Sequence, residues 1–195
     1  MKTYEKTETT TEPLLKIRYD SDAESPRRWS NLGYFITVDS NYHSPDENAT
    51  MEDIVKDTGN EADNQEHHMK LIKEEIEDTG EKVLAIYPIT KYEHSGVSYS
   101  LGTAHGFDNS NNGFYIITEK SQADIGTKKK DFEKCINGEL DVYNKWANGE
   151  AFAFTLFNKD GEMEDSCCGF FELDEIKAYL PKEWKDEDMS EYLEN

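Results

Sequence analysis

An α+β fold built on an antiparallel sheet is what this sequence predicts, and three observations carry it. Strand-like runs follow one another with short polar turns between them, which favours hairpins over the strand–helix alternation of a parallel sheet. One stretch, 128–147, has the roughly 3.6-residue period of a long amphipathic helix. Finally, 195 residues with 35% hydrophobic and 12% aromatic side chains are enough for one core of ordinary size. The expectation is therefore a single α+β domain over 13–181, with a sheet of about five or six strands, the long helix packed on one face and acidic helices at the periphery. A flexible Thr/Glu-rich stretch over 1–12, an acidic insertion at about 41–80 and an acidic tail over 182–195 complete the predicted organisation.

The elements follow in order along the chain. LLKIRY reads as a short strand, DSDAESP as a polar turn closed by proline, and Gly33–Val38 (GYFITV) as a second strand rich in β-branched and aromatic residues. Residues 41–59 turn polar, with at most a short helix around MEDIVK. The spacing of Met69, Ile72 and Ile76 predicts a helix over 64–78, stopped by Gly80. KVLAIYPITKY, SGVSYSL and GFYIIT read as successive strands of one antiparallel sheet, with FDNSNN as a polar loop. Phe132, Ile136, Leu140, Tyr143 and Trp146 then mark the buried stripe of the long helix, and Asn148-Gly149 ends it. AFAFTLF and EMEDSCCGFF form a hairpin about Asn158–Gly161. A short helix at LDEIKAYL stops at Pro181, and Trp184, Tyr192 and Leu193 give the tail side chains with which to dock. Trp29, Phe132, Tyr143, Trp146, Phe152, Phe154 and Phe170 are expected to be largely buried.

Charge narrows the function. The chain carries 42 acidic against 21 basic side chains, a formal net charge of -21. Segments 41–80 and 161–195 hold 12 acids and 3 bases each, so two blocks account for most of the excess. A polyanion of this kind repels nucleic acid, whose binding needs clustered Lys and Arg, and Lys128–Lys130 is too short for such a footprint. Two readings of the blocks stay open: solvated helix faces, or a surface shaped to meet a basic partner. A mean hydropathy of -0.88 and the lack of a long apolar run predict no membrane span, and three cysteines suit a reducing compartment, so a cytoplasmic location is expected.

Three blocks, DAESPRRWSNLGYF, YEHSGVSYS with GFDNSNNGFYIITEK, and VYNKWANGEAFAFTLFNKDGEMEDSCCGFF, together resemble a family of uncharacterised accessory proteins of bacteriophages and mobile elements. They span most of 14–171. Cys168, where the family pattern has an aromatic residue, and the acidity of 41–63 depart from that pattern. The resemblance implies an accessory protein acting inside a bacterial host, and it brings no active site with it.

Four constellations could carry chemistry. Asp108–Gly113 with Glu119 at the twelfth place has calcium-loop spacing, but its neighbours read as strands, so a polar turn is expected. His94, Asp165 and Cys167 are the parts of a small hydrolase, but no nucleophile signature surrounds them, so turn and capping residues are the expectation, with one of Cys167 and Cys168 buried. His67-His68 reads as solvent-facing, since adjacent histidines on a helix diverge by about 100° and hold one ion poorly. Ser25–Trp29 reads as a turn in which Arg27 makes an internal ion pair and Trp29 enters the core.

The function expected from all this is a non-enzymatic inhibitor of a host defence nuclease, of anti-CRISPR or anti-restriction type. It would present a nucleic-acid-mimicking acidic surface to a basic channel. The expected partner-binding residues are Asp46, Glu47, Glu52, Asp53, Asp57, Glu61 and Asp63 in the first block and Glu183, Asp186, Glu187 and Asp188 in the second. The first block is the expected contact, because a chain terminus is more often mobile. No catalytic residue, cofactor or metal is expected, and a homodimer is possible. The alternatives are a small Cys/His or metal-assisted hydrolase and a phage structural or regulatory interaction protein.

Overall fold

Alternation sets the strands of this protein. In β1 (Leu14–Tyr19) Leu15 and Ile17 are buried while Arg18 and Tyr19 face outward. The computed structural model describes residues 13–37, 45–46 and 65–194. It has the predicted α+β class with antiparallel sheets, but the strands divide between two sheets instead of forming one. The chain falls into two compact units, one of residues 1–24 with 145–195 and the other of residues 25–144.

The longer unit is built around β5 (Asn109–Thr118), which pairs antiparallel with β2 (Tyr34–Thr37) on one side and β3 (Val83–Glu93) on the other. β4 (Val97–Leu101) lies beyond β3, giving the order β2-β5-β3-β4. Phe114 to Ile117 are all buried, as both faces of a central strand should be. Their side chains part at every second residue. Phe114 and Ile116 join Ile36 against Ile72 and Ile76 of α1 (Gln65–Asp78). Phe35 and Tyr115 point the other way, toward Tyr99 and toward the long helix α3 (Phe132–Ala147). A short helix, α2 (Glu119–Ile125), follows β5; Thr118 caps it and Gly126 ends it in a left-handed conformation. The long helix starts four residues later than its periodicity suggested, because Lys129–Asp131 winds as a 3-10 turn.

The shorter unit holds β1, β6 (Phe152–Phe157) and β7 (Met163–Phe170) in the order β1-β6-β7. β6 and β7 are the predicted hairpin, turned at Asn158–Gly161 where the Asn158 N–H bonds the Glu162 carbonyl. Leu15, Ile17, Phe154, Leu156 and Phe170 form one apolar face, which Ile176, Leu180, Trp184 and Met189 cover. Those four come from 3-10 turns at Leu173–Ala178, Lys182–Trp184 and Met189–Tyr192 and from the links between them. The first of these stands where an α-helix was expected. The segment read as a tail is therefore part of this unit: Leu193 bridges Ile17, and the Glu194 N–H donates to the Ile17 carbonyl at 2.8 Å.

Of the seven aromatic residues expected in the core, Phe132, Tyr143, Phe154 and Phe170 are buried. Trp146 and Phe152 are half-buried, and the Trp146 indole donates to the Ala23 carbonyl. Trp29 is 49% exposed, contrary to expectation. Pro26–Arg28 is a 3-10 turn capped by Ser25, and residues two apart on such a turn point to different sides, so turning Arg27 inward turns Trp29 out.

Candidate interaction surface

Charge is handled in two ways. In the longer unit one arginine is buried and paired with two carboxylates. The Arg27 side chain, 4% exposed, donates through Nε and Nη2 to both oxygens of Asp46 at 3.1 and 2.9 Å, and through Nη1 to Glu139 at 2.9 Å. Nη2 also donates to the Gly33 carbonyl, and the guanidinium lies over the Phe35 and Tyr115 rings. The carboxylates are satisfied as well: Asp46 accepts from the Phe35 N–H, and Glu139 from the Leu32 N–H and the Tyr115 hydroxyl. Burial alone would lower the Arg27 pKa, but Asp46, Tyr115 and Glu139 outweigh it and raise the pKa. Burial, then Glu139, pushes the Tyr115 phenol up, which keeps it a donor. This network ties the Ser25–Phe35 segment to β5 and α3. It bears out the internal ion pair expected of Arg27, and Asp46, expected to meet a partner, is engaged in it. Glu139 and Tyr115 carried no sequence signal, lying 112 and 88 residues from Arg27.

In the shorter unit the acids face outward. All twelve between Glu162 and Glu194 are exposed. Three make ion pairs among the described residues: Asp174 with Lys177, Glu172 with Lys145, and Glu194 with Lys16. Glu183, Asp186, Glu187 and Asp188 belong to this array. Asp188 accepts from the Ser190 N–H and hydroxyl, which lowers its pKa, and Glu187 accepts from the Tyr192 hydroxyl. Buried Trp184 and Met189 hold the segment to the sheet, so the reason for ranking the second block below the first does not apply here. Glu47, Glu52, Asp53, Asp57, Glu61 and Asp63, and the MEDIVK helix, lie outside the described residues.

The hydrolase parts do not share a unit. His94 stands at the β3–β4 turn, 3.8 Å from Asp108, while Asp165 and Cys167 lie on β7. Asp165 accepts from its neighbour's N–H; Cys167 packs half-buried against the apolar cluster and Cys168 is exposed, so the two alternate across the strand but neither is the buried cysteine expected. The calcium-spaced residues Asn109–Gly113 belong to β5, where successive side chains alternate instead of converging, and Glu119 opens α2. No cluster of three or more His, Cys, Asp or Glu that could hold a metal occurs among the described residues. His68 is buried, contrary to expectation, because His68, Ile72 and Ile76 form the inward stripe of α1. No described helix is long and apolar enough to cross a membrane.

Compared with protein-family models, curated proteins and solved structures, the chain matches none.

Proposed function

We propose that this is a non-enzymatic accessory protein of a bacteriophage or mobile element, acting in the cytoplasm of the bacterial host. It inhibits a defence nuclease of the CRISPR or restriction type by offering carboxylates to the basic channel that would otherwise hold nucleic acid. The observation behind this reading is the anchored acidic segment: twelve exposed acids from Glu162 to Glu194 on a scaffold fixed by buried apolar side chains. Fixed carboxylates lose little freedom on binding, and a dense field of one sign speeds encounter with a basic surface. The array of Glu183, Asp186, Glu187 and Asp188 is the contact in the described residues.

Affinity capture from a host lysate tests this, with nuclease subunits scored against background. The expected result is a basic nuclease that nucleic acid displaces, and whose capture weakens by orders of magnitude when salt rises from about 0.1 to 0.5 M. Replacing Glu183, Asp186, Glu187 and Asp188 together by Gln or Asn should weaken it likewise. Unchanged capture by that variant, independent of salt, would sink the mimicry reading. A second reading, an interaction protein that meets a partner or another copy through aromatic side chains, draws on the exposure of Phe107, Trp29 and Tyr179.

A further inference from the structure

β4 is an edge strand of the four-stranded sheet, and a side chain meets its outer main-chain groups. Residues of an antiparallel pair turn their N–H and C=O alternately toward the partner strand and away from it. The Gly102 N–H donates to the Pro88 carbonyl of β3, which sets the alternation, so Tyr99, three residues earlier, faces outward. There the Tyr99 N–H donates to Asn144 Oδ1 at 2.7 Å, and Asn144 Nδ2 donates to the Tyr99 carbonyl at 3.0 Å. One amide thus supplies the acceptor and the donor that one residue of a neighbouring strand would supply. α3 carries it there, and the preceding residue, Tyr143, packs its ring edge-on against that of Tyr99 with centroids 5.5 Å apart.

The other edges are met differently. The Phe35 N–H of β2 donates to Asp46, and on β7 the Ser166 and Gly169 N–H groups donate to Asp165 and Asp20. Leu193 and Glu194 pair with β1 at Ile17. A carboxylate at an edge also repels a second copy of so acidic a chain. β4 has no such charge, since Val97, Ser98, Tyr99, Ser100 and Leu101 are all neutral. Paired antiparallel about Tyr99, two copies of it would match serine with serine and valine with leucine. An uncharged, self-matching edge is of the kind that associates unless something occupies it. We propose that Asn144 guards β4 against pairing with β4 of a second copy, by taking the place of the neighbouring strand at Tyr99. An amide suits this better than a carboxylate, which would satisfy the N–H and leave the carbonyl open.

The test compares the full chain with Asn144→Ala by sedimentation velocity over a concentration series. Salt is held at about 0.15 M, where a Debye length of about 8 Å limits repulsion between two polyanions. Alanine favours a helix, so the variant should fold, which circular dichroism checks. It should dimerise where the unaltered chain stays monomeric, its self-association tighter by about tenfold or more because two bonds per copy no longer have to be given up. Amide exchange at Tyr99 locates the contact: slow in the unaltered chain at every concentration, and in the variant fast when dilute and slow when concentrated. Ser98→Lys with Ser100→Lys, added to Asn144→Ala, should abolish the dimer, since each lysine would face another across the pair. Those two changes bring the net charge nearer zero, so overall repulsion would not explain the loss. Equal self-association of the unaltered chain and Asn144→Ala, or a dimer indifferent to the serine changes, would overturn the proposal. So would an Asn144→Ala chain that does not fold, because Asn144 would then hold the fold and not the edge.

Discussion

Two carboxylates of the longer unit do what none of the acids from Glu162 to Glu194 does: they close an ion pair on a buried arginine. Among the described residues, the shorter unit carries 17 acids against 7 bases and the longer one 15 against 11, so the shorter unit holds most of the described excess in fewer residues. Yet the carboxylates that matter most for the fold are in the longer unit, where the partly buried Asp46 and Glu139 meet the buried Arg27. Those of the shorter unit stay hydrated and leave stability to Trp184, Met189 and Ile176. The difference teaches that burial, not residue type, decides whether an acid holds a structure together or remains open to a partner.

The largest expected effect lies in the buried network. Arg27→Met would leave Asp46 and Glu139 desolvated without their counter-ion, and breaking a buried pair from one side costs about 3–5 kcal/mol. Chemical denaturation should show that loss. Arg27→Lys should not restore it, since an ammonium cannot reach Asp46 in a fork while also bonding Glu139 and the Gly33 carbonyl. A loss below about 1 kcal/mol would mean that the network is no firmer than a surface ion pair.

The counterpart in the shorter unit is apolar. Trp184→Ala removes a buried ring from the cluster over β1 and β6 and should cost about 3 kcal/mol, the lower end for such truncations because the indole sits at the edge of its cluster. Hydrogen exchange should then rise first at Glu194, whose N–H bonds Ile17. If protection there is unchanged, the acidic segment is held by something other than its apolar side chains.

How much of this was legible in the sequence depends on how far each cause reaches along the chain. The stripe Phe132, Ile136, Leu140, Tyr143 is a local period, and the helix follows from it. The inward turn of Arg27 was legible too, since a guanidinium beside a proline in an acidic chain calls for a carboxylate. Which carboxylate was not, because Glu139 arrives from a helix 112 residues away. Nor was the division into two sheets, since β1 pairs with β6 across the whole longer unit and no turn signal records that closure. Trp29 and His68 were misjudged for one reason: apolarity and local spacing do not fix the rotation of a short turn or choose among neighbouring helix stripes.

Gly33 gives a smaller effect with a geometric cause. A Cβ there would stand 2.1 Å from the Ile116 carbonyl oxygen, and backbone cannot yield as a flexible side chain can. The Gly33 N–H also donates to the Tyr115 hydroxyl at 2.7 Å, so moving the strand away disturbs the Arg27 network as well. Gly33→Ala should therefore lower stability by about 1–3 kcal/mol, the usual range for forced overpacking, and shift the melting midpoint accordingly. An alanine variant with an unchanged midpoint would show that β2 and β5 are not held this closely.

The smallest expected effect is a pH slope confined to the longer unit. His68 lies on the inward stripe of α1, 6% exposed, with its ring edge-to-face to Phe114 at 6.3 Å. Burial first, and the neighbouring His67 second, lower its pKa below the ordinary imidazole value. With a folded pKa below the unfolded one, the unfolded chain takes up the proton first. Stability from the neutral ring is then complete above the unfolded pKa of about 6.5 and declines as pH falls through it toward the lower folded value. Urea unfolding between about pH 7.5 and 5 should show this decline before the general carboxylate titration sets in, and His68→Phe, which keeps a ring against Phe114 without a titrating nitrogen, should flatten it. Exchange at Glu194 in the shorter unit should not follow the same slope, since no histidine lies in its described residues. A slope that survives His68→Phe would assign the proton to another group and leave the α1 stripe as apolar packing alone.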